Sequence, residues 1–118
     1  MVLLVEPEPG ARETLVRNLK SVDVEVRSAT SIRQMLEAMA DRIPDVLLLN
    51  LGLEGMESEV IVSMIHMVAP DTRIVAYSPK SDPKDAAAVE GGVFFYAAGG
   101  DESYVAAAIQ AALQKRRR

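Results

Sequence analysis

The sequence predicts an α/β fold in which a (βα)5 chain forms one doubly wound parallel sheet. Five short runs rich in branched apolar residues indicate strands, and segments with helical spacing of apolar residues separate them. This strict alternation favours right-handed crossovers and a sheet that helices cover on both faces. With 118 residues, the whole chain, 1–118, is long enough to be a single domain with its own core.

The strands are predicted from pattern as well as composition. Val2–Val5 and most of Asp45–Asn50 are continuously apolar, which is typical of strands buried on both faces. In the predicted strand Val24–Ala29, the residues Val24 to Arg27 alternate between apolar and polar instead, as in an edge strand. The other two strands are predicted at Arg73–Ser78 and Val93–Ala98. This arrangement predicts the strand order 2-1-3-4-5.

Apolar residues at helical spacing predict five helices. Ser31 and Gln34 have the spacing of a capping box at the start of the second one. In the third, Val62 and Ala69 are assigned to the outer face, and Val60, Ile61, Met64 and Val68 to the buried stripe. The helices are predicted at Pro9–Lys20, Ser31–Ala40, Glu57–Val68, Asp82–Glu90 and Asp101–Arg116.

The amino-acid composition excludes several kinds of functional site. The chain has no cysteine, which excludes disulfides, thiolate metal sites and cysteine nucleophiles. The apolar run Val2–Val5 is too short to span a bilayer and follows no basic region, so we expect a cytoplasmic protein without membrane contact. The basic run 115–118 suits the end of a helix or a solvated tail; a linker and a nucleic-acid contact are the alternatives. The net charge of -4 disfavours the nucleic-acid contact.

In a sheet with this strand order, the functional crevice lies at the carboxyl ends of the strands, near the switch between strands 1 and 3. Four groups of residues end or follow strands there. They are Glu6, Pro7 and Glu8 after strand 1, Asn50 at the end of strand 3, Ser78 at the end of strand 4, and Gly99 and Gly100 after strand 5.

Four blocks of the sequence resemble the receiver domains of bacterial two-component response regulators, with spacings that match along almost the whole chain. The blocks are Val2–Glu8, Pro44–Asn50, Ile74–Ser78 and Gly92–Tyr96. The resemblance implies a flavodoxin-like, receiver-like fold. In that family an aspartate at the end of strand 3 accepts a phosphoryl group, and here the position is Asn50. An amide has neither the charge nor the nucleophilicity of a carboxylate, so we expect a degenerate pseudo-receiver and no enzyme.

Two further positions of the resemblance lack what phosphorylation needs. Of the family's acidic pair after strand 1, Glu6 keeps a carboxylate, Pro7 has none, and Glu8 lies one step further on. The family's phosphate-pairing lysine falls at Gly99. We therefore expect no cofactor, no metal site and at most weak Mg²⁺ binding.

The family's switch residues are retained in this sequence as Ser78, a hydroxyl residue, and Tyr96, an aromatic residue. Two simpler interpretations stand beside the switch role. Ser78, which precedes Pro79, is then only a turn residue at the end of its strand. Tyr96 is then an edge-strand aromatic that packs against the last helix.

The last predicted helix has an unusual outer face, because no charged residue lies between Ser103 and Gln114. Either alanine is there only as a good helix former, or the flat neutral face is an interface. The resemblance favours the interface, since receivers commonly dimerise or bind partners through helix 4, strand 5 and helix 5. The candidate residues are Phe95, Tyr96, Tyr104, Ala107, Gln110, Ala111 and Gln114, with Ala106 beside them.

These observations predict a phosphorylation-independent signalling module that acts by protein–protein interaction or as a homodimer. One alternative is a small-molecule sensor that uses the space between Glu6, Asn50, Ser78 and Gly99. Another is the regulatory domain of a larger DNA-binding response regulator, in which case nucleic acid is contacted only by a separate effector domain. A phosphoacceptor role carried by a different residue is the least favoured interpretation.

Overall fold

The computed structural model describes residues 1–53, 55, 57–78, 92–98 and 104–116. Its five strands form one parallel sheet in the order β2-β1-β3-β4-β5, which confirms the predicted fold class and strand order. The strands are β1 (Val2–Val5), β2 (Val26–Ala29), β3 (Val46–Asn50), β4 (Arg73–Ser78) and β5 (Phe95–Ala98).

Four helices lie among these residues, and none of them is long and apolar enough to cross a membrane. The predicted helix 82–90 lies outside the described residues. The helices are α1 (Pro9–Lys20), α2 (Ile32–Asp41), α3 (Ser58–Val68) and the C-terminal helix (Val105–Arg116).

The two faces of the sheet pack into separate apolar clusters. Alternate residues of β1 point to opposite sides: Leu3 and Val5 join the first cluster, Val2 and Leu4 the second. Helices α2 and α3 cover the first cluster, whereas α1 and the C-terminal helix cover the second. Burial on both faces explains why β1 and β3 are continuously apolar in sequence.

The orientation of α3 differs from the predicted one. Val62 and Ala69, assigned to the outer face, are buried, while Val60 and Val68, assigned to the core, are 49% and 51% exposed. The helix carries apolar residues of its own on several sides, so their spacing in the sequence does not indicate which side is buried. Tertiary packing of Ile61 and its neighbours decides which side faces the sheet.

Local hydrogen bonds mark the start of α2, and a turn with a positive φ precedes the start of β2. The Ser31 hydroxyl accepts the Gln34 N–H at 3.1 Å, as the predicted capping box requires. The Gln34 side chain, however, reaches back to the N–H of Thr30 at 2.8 Å, one residue earlier than in a capping box. Asp23 adopts a positive φ of 54° in the turn before β2, and the strand begins at Val26, later than predicted.

The C-terminal helix packs one apolar stripe against the sheet. Val105, Ile109 and Ala112 are buried in the second cluster, and Leu113 packs against it. The helix begins at Val105 after a turn at Tyr104, and the predicted start at residues 101–103 lies outside the described residues.

Candidate functional site

The carboxyl ends of β1, β3 and β4 meet at one edge of the sheet, because these strands are parallel neighbours in register. Val5 pairs with Leu49, and Asn50 pairs with Tyr77. Glu6, directly after β1, therefore lies beside Asn50 and Tyr77. These three residues, which we call the corner, are each at most 5% exposed.

The Glu6 carboxylate is held by hydrogen-bond donors from all three strand ends. Its Oε1 accepts the Asn50 Nδ2 at 3.0 Å and the Tyr77 hydroxyl at 2.5 Å. Its Oε2 accepts the backbone N–H of Glu8 at 2.9 Å. A carboxylate that is 1% exposed would be costly without such partners, so these donors explain how Glu6 is accommodated.

Asn50 is held at both ends of its amide. Its Nδ2 faces Glu6, and its Oδ1 accepts the Gly52 N–H at 2.7 Å. The amide nitrogen is the donor of this side chain and the amide oxygen its acceptor, so the nitrogen faces the Glu6 oxygen and the oxygen faces the Gly52 N–H. Gly52 suits the close approach, since an added Cβ would lie 3.1 Å from the Asn50 Oδ1.

Glu8 serves a different purpose from Glu6. Its carboxylate accepts the N–H groups of Ala11 at 2.6 Å and Gly10 at 3.0 Å and thereby caps α1. These backbone bonds, together with the nearby Arg12, lower the pKa of the exposed Glu8 carboxyl. Pro7 is exposed. Of the three candidate residues after β1, only Glu6 directs a carboxylate to Asn50.

The residues of the corner do not fit a divalent cation. Mg²⁺ binding sites supply one or two free carboxylates together with other oxygen ligands. Here Asn50 turns its nitrogen toward Glu6, and Glu6 already accepts three hydrogen bonds. Within the described ranges, no group of three or more His, Asp or Glu side chains is arranged to hold a metal. Gly99, the predicted site of the lost lysine, lies outside those ranges.

The two predicted switch residues are in contact. The Tyr96 hydroxyl donates to the Ser78 Oγ at 3.1 Å, and Ser78 is 2% exposed at the end of β4. Tyr96 packs against the first apolar cluster, on the face of the sheet opposite to the C-terminal helix. The simpler interpretation, in which Tyr96 packs against the last helix, is therefore wrong. The hydrogen bond from Tyr96 to Ser78 links β5 to β4 at the residue that follows Tyr77.

The outward face of the C-terminal helix lies at the surface, as its sequence predicts. Phe95 on β5 is 36% exposed, and Tyr104, directly before the helix, is 60% exposed. Tyr96 is partly buried and turned toward Ser78, so it adds less. Lys115 and Arg116 still belong to the helix, and residues 117–118 lie outside the described ranges. The exposed residues of the helix face are Ala107, Gln110, Ala111 and Gln114.

Tyr77 is the corner residue that sequence reasoning missed. The sequence pattern places it only within the strand Arg73–Ser78, although a buried tyrosine hydroxyl generally has a hydrogen-bond partner. Its position one residue before Ser78 and opposite Asn50 in the sheet is the signal that could have identified it. The hydroxyl finds its partner in Glu6.

Comparison with known proteins agrees with this geometry. The sequence profile of the response regulator receiver domain matches residues 2–98. No curated protein sequence matches the chain significantly. The fold and the position of the corner define a receiver-type signalling domain, and the profile match shows that the chain belongs to the response regulator receiver domain family of two-component signalling.

Three solved structures illustrate the likeness. The signal receiver domain of an HD domain-containing protein from Pseudomonas fluorescens has a TM-score of 0.88 and 23% identity, covering 98% of this chain and 95% of that one. A CheY-like receiver from Methanospirillum hungatei has a TM-score of 0.87 and 14% identity, covering 98% and 94%. NtrX from Brucella abortus has a TM-score of 0.84 and 20% identity, covering 98% of this chain but 26% of that one. At these identities the structures establish the fold alone.

Proposed function

We propose that this receiver domain signals without phosphorylation, by binding a protein partner or a second copy of itself. The observation that carries the proposal is the hydrogen bond from the Asn50 amide to the Glu6 carboxylate. At the place where a phosphoacceptor would present a nucleophilic carboxylate, this chain presents an amide that is already engaged at both ends.

The proposal gains support from the chemistry around Asn50. A phosphoryl group brings negative charge, and the nearest acidic group, Glu6, would repel it in the absence of a cation. Glu8, the other acid of this segment, is committed to capping α1. Loss of the nucleophile and lack of a metal site therefore act together.

The signalling surface is proposed at β5, the C-terminal helix and the segment 82–90. Within the described part of this surface, the exposed helix face is uncharged, and Phe95 on β5 and Tyr104 just before the helix are exposed aromatic residues. Small side chains allow close approach of another helix, and aromatic residues are enriched at the centres of interfaces. A homodimer or a protein partner is the occupant that this chemistry fits.

Phosphorylation independence is tested by amide NMR of the protein with Mg²⁺ and a small-molecule phosphodonor. The expected result is no shift of the Asn50, Ser78 or Tyr96 signals beyond the sample with Mg²⁺ alone. New shifts at these residues that require the phosphodonor would show that the corner still accepts a phosphoryl group, and the proposal would then be wrong.

Interaction through the helix face is tested by substituting Ala107→Arg, which places a charge on its centre. Light scattering on size-exclusion chromatography is expected to show lost self-association, or capture of the partner is expected to fall. Glu37→Arg, an exposed position on α2, is the matched control and is expected to change neither. A wild-type chain that is monomeric at high concentration and captures no partner would contradict the proposal.

The alternative of a small-molecule sensor is less well supported. The side chains of Asn50 and Tyr77 already donate hydrogen bonds to the Glu6 carboxylate, so a ligand that binds this carboxylate would have to replace those bonds. A thermal shift with a compound library separates the two functions, because a ligand of the native state raises the melting temperature. The regulatory-domain alternative remains compatible with the proposal, since NtrX shows this fold within a longer chain.

A further inference from the structure

The Glu6 carboxylate has few acceptor positions left. An ionised carboxylate offers about four lone-pair directions, two on each oxygen. Both directions of Oε1 are used, one by the Asn50 amide at 3.0 Å and the other by the Tyr77 hydroxyl at 2.5 Å. Oε2 uses one direction for the Glu8 N–H at 2.9 Å. The substitution of a carboxylate by Asn50 accounts for only one of these three bonds.

We propose that Tyr77 is a second determinant, separate from Asn50, that keeps divalent cations out of the corner. The hydroxyl takes the place of a cation as a partner of Glu6. This inference rests on the proposed function, because it explains how a receiver fold keeps its acidic residue without the metal that phosphorylation requires. Tyr77 acts here as a positioning and selectivity residue.

The Tyr77 hydroxyl is firmly placed. The residue is 5% exposed in the central part of the sheet, and its ring belongs to the second apolar cluster. Its backbone carbonyl accepts the Leu51 N–H at 2.9 Å, which ties it to the chain leaving β3. The ring therefore cannot swing aside without disturbing the core. A cation at the Glu6 Oε1 would have to displace the hydrogen bond from the Tyr77 hydroxyl.

A carboxylate restored at position 50 is consequently insufficient for metal binding. Asn50→Asp frees one direction of the Glu6 Oε1, while the Tyr77 hydroxyl still holds the other. Tyr77→Phe frees the second direction and keeps the ring in the core. The two substitutions together leave one oxygen of each of two carboxylates without a hydrogen-bond donor, because the Glu8 and Gly52 N–H groups contact only the other oxygens. Two such carboxylates are within the range that a Mg²⁺-type site uses.

The test is a titration with Mn²⁺ alone, followed by water-proton relaxation, of wild type, N50D, Y77F and N50D/Y77F. The double variant is expected to bind Mn²⁺ about tenfold or more tightly than N50D, since a hydrogen bond to a charged group is worth at least that factor. Wild type and Y77F are expected to show no binding at the corner. N50D/Y104F is the matched control, because Tyr104 is an exposed tyrosine, and is expected to behave as N50D does.

Equal Mn²⁺ affinity of N50D and N50D/Y77F would overturn the inference, as would specific Mn²⁺ binding to the wild-type corner. If the double variant is unfolded in chelator, circular dichroism during the same titration replaces relaxation. Recovery of the fold by Mn²⁺ supports the inference, and failure to recover while N50D folds overturns it. Phosphorylation of wild type in the separate NMR experiment would overturn the proposed function instead, so the two failures are distinguishable.

Discussion

Replacing Asn50 by aspartate places two carboxyl groups face to face in a buried corner. The Asn50 Nδ2 lies 3.0 Å from the Glu6 Oε1, and Asn50 is 4% exposed. Asn50→Asp removes this donor and substitutes a negatively charged oxygen. The contact with the Gly52 N–H is preserved, because a carboxylate oxygen accepts it as well as the amide oxygen does.

Two responses to the second carboxylate are possible, charge repulsion or uptake of a proton. The loss of unfolding free energy equals the cost of the one that requires less free energy. With an effective dielectric constant of about 20, two charges about 3 Å apart repel by roughly 5 kcal/mol. The two carboxylates can instead share one bound proton. A pH of about 7 is about three units above the ordinary pKa of an aspartic acid, so binding that proton costs roughly 4 kcal/mol. A protonated carboxyl then donates to its neighbour. We therefore expect a loss of about 4 kcal/mol of unfolding free energy at about pH 7.

The same reasoning fixes the pH dependence. The shared proton is bound more tightly in the folded variant than in the unfolded chain, so the folded state binds more protons in this range. Stability of the variant relative to wild type must then rise as the pH falls. The expected loss shrinks to roughly 2 kcal/mol at about pH 5.5, by about 1.4 kcal/mol per pH unit.

The assay is urea unfolding followed by circular dichroism in a chelating buffer, with wild type and Asn50→Asp measured in parallel from about pH 5.5 to about pH 8. Asn50→Ala is the matched control, since it loses both amide hydrogen bonds but adds no charge. Its cost is expected to stay constant over this range. A loss for Asn50→Asp that does not depend on pH, or that stays below about 1 kcal/mol at about pH 7, would refute the placement of Glu6 opposite position 50.

Four further outcomes are expected. Asn50→Asp alone is expected to give no stable aspartyl phosphate by mass spectrometry, because Pro7 and Gly99 still lack the family's side chains. Ile109→Ala, at a fully buried position, is expected to cost about 2–5 kcal/mol of unfolding free energy in urea. Tyr96→Phe, which removes the hydroxyl bonded to Ser78, is expected to cost about 0.5–1.5 kcal/mol in the same assay. For Glu8→Ala, the lowered pKa of Glu8 means that the capping contribution is present above the ordinary glutamate range and is lost as the pH falls through the lowered value. Its melting temperature is therefore expected to fall below that of wild type at neutral pH and to converge with it in strong acid.

The predicted fold agreed with the structure because its signals are local. Continuous apolar runs at β1 and β3 follow directly from burial on both faces, and alternation of strand and helix restricts the topology. Where the local signal is ambiguous, prediction was wrong. Apolar residues occur on several sides of α3, and it exposes Val60 and Val68 while Val62 and the following Ala69 are buried, because packing and not periodicity sets its orientation.

The candidate site was predicted in part. Position along the chain identified Glu6, Asn50 and Ser78, because the carboxyl ends of parallel strands converge at one edge. The direction of a side chain could not be predicted in this way. Glu8 turns to the first turn of α1, whereas Glu6, two residues earlier, turns to Asn50.

The sequence by itself determined the architecture and placed an asparagine, not a carboxylate, at the end of β3, since both depend on residue type and order along the chain. Only the tertiary structure decided how the corner is satisfied. The Tyr77 hydroxyl and the Glu6 carboxylate are 71 residues apart in sequence, and they meet because β3 aligns β1 and β4 on either side of it. Hydrogen bonds depend on distance and direction between atoms, which chain order does not specify. The fold therefore places Asn50 in a set of hydrogen bonds with Glu6, Tyr77 and Gly52 that the sequence alone does not predict.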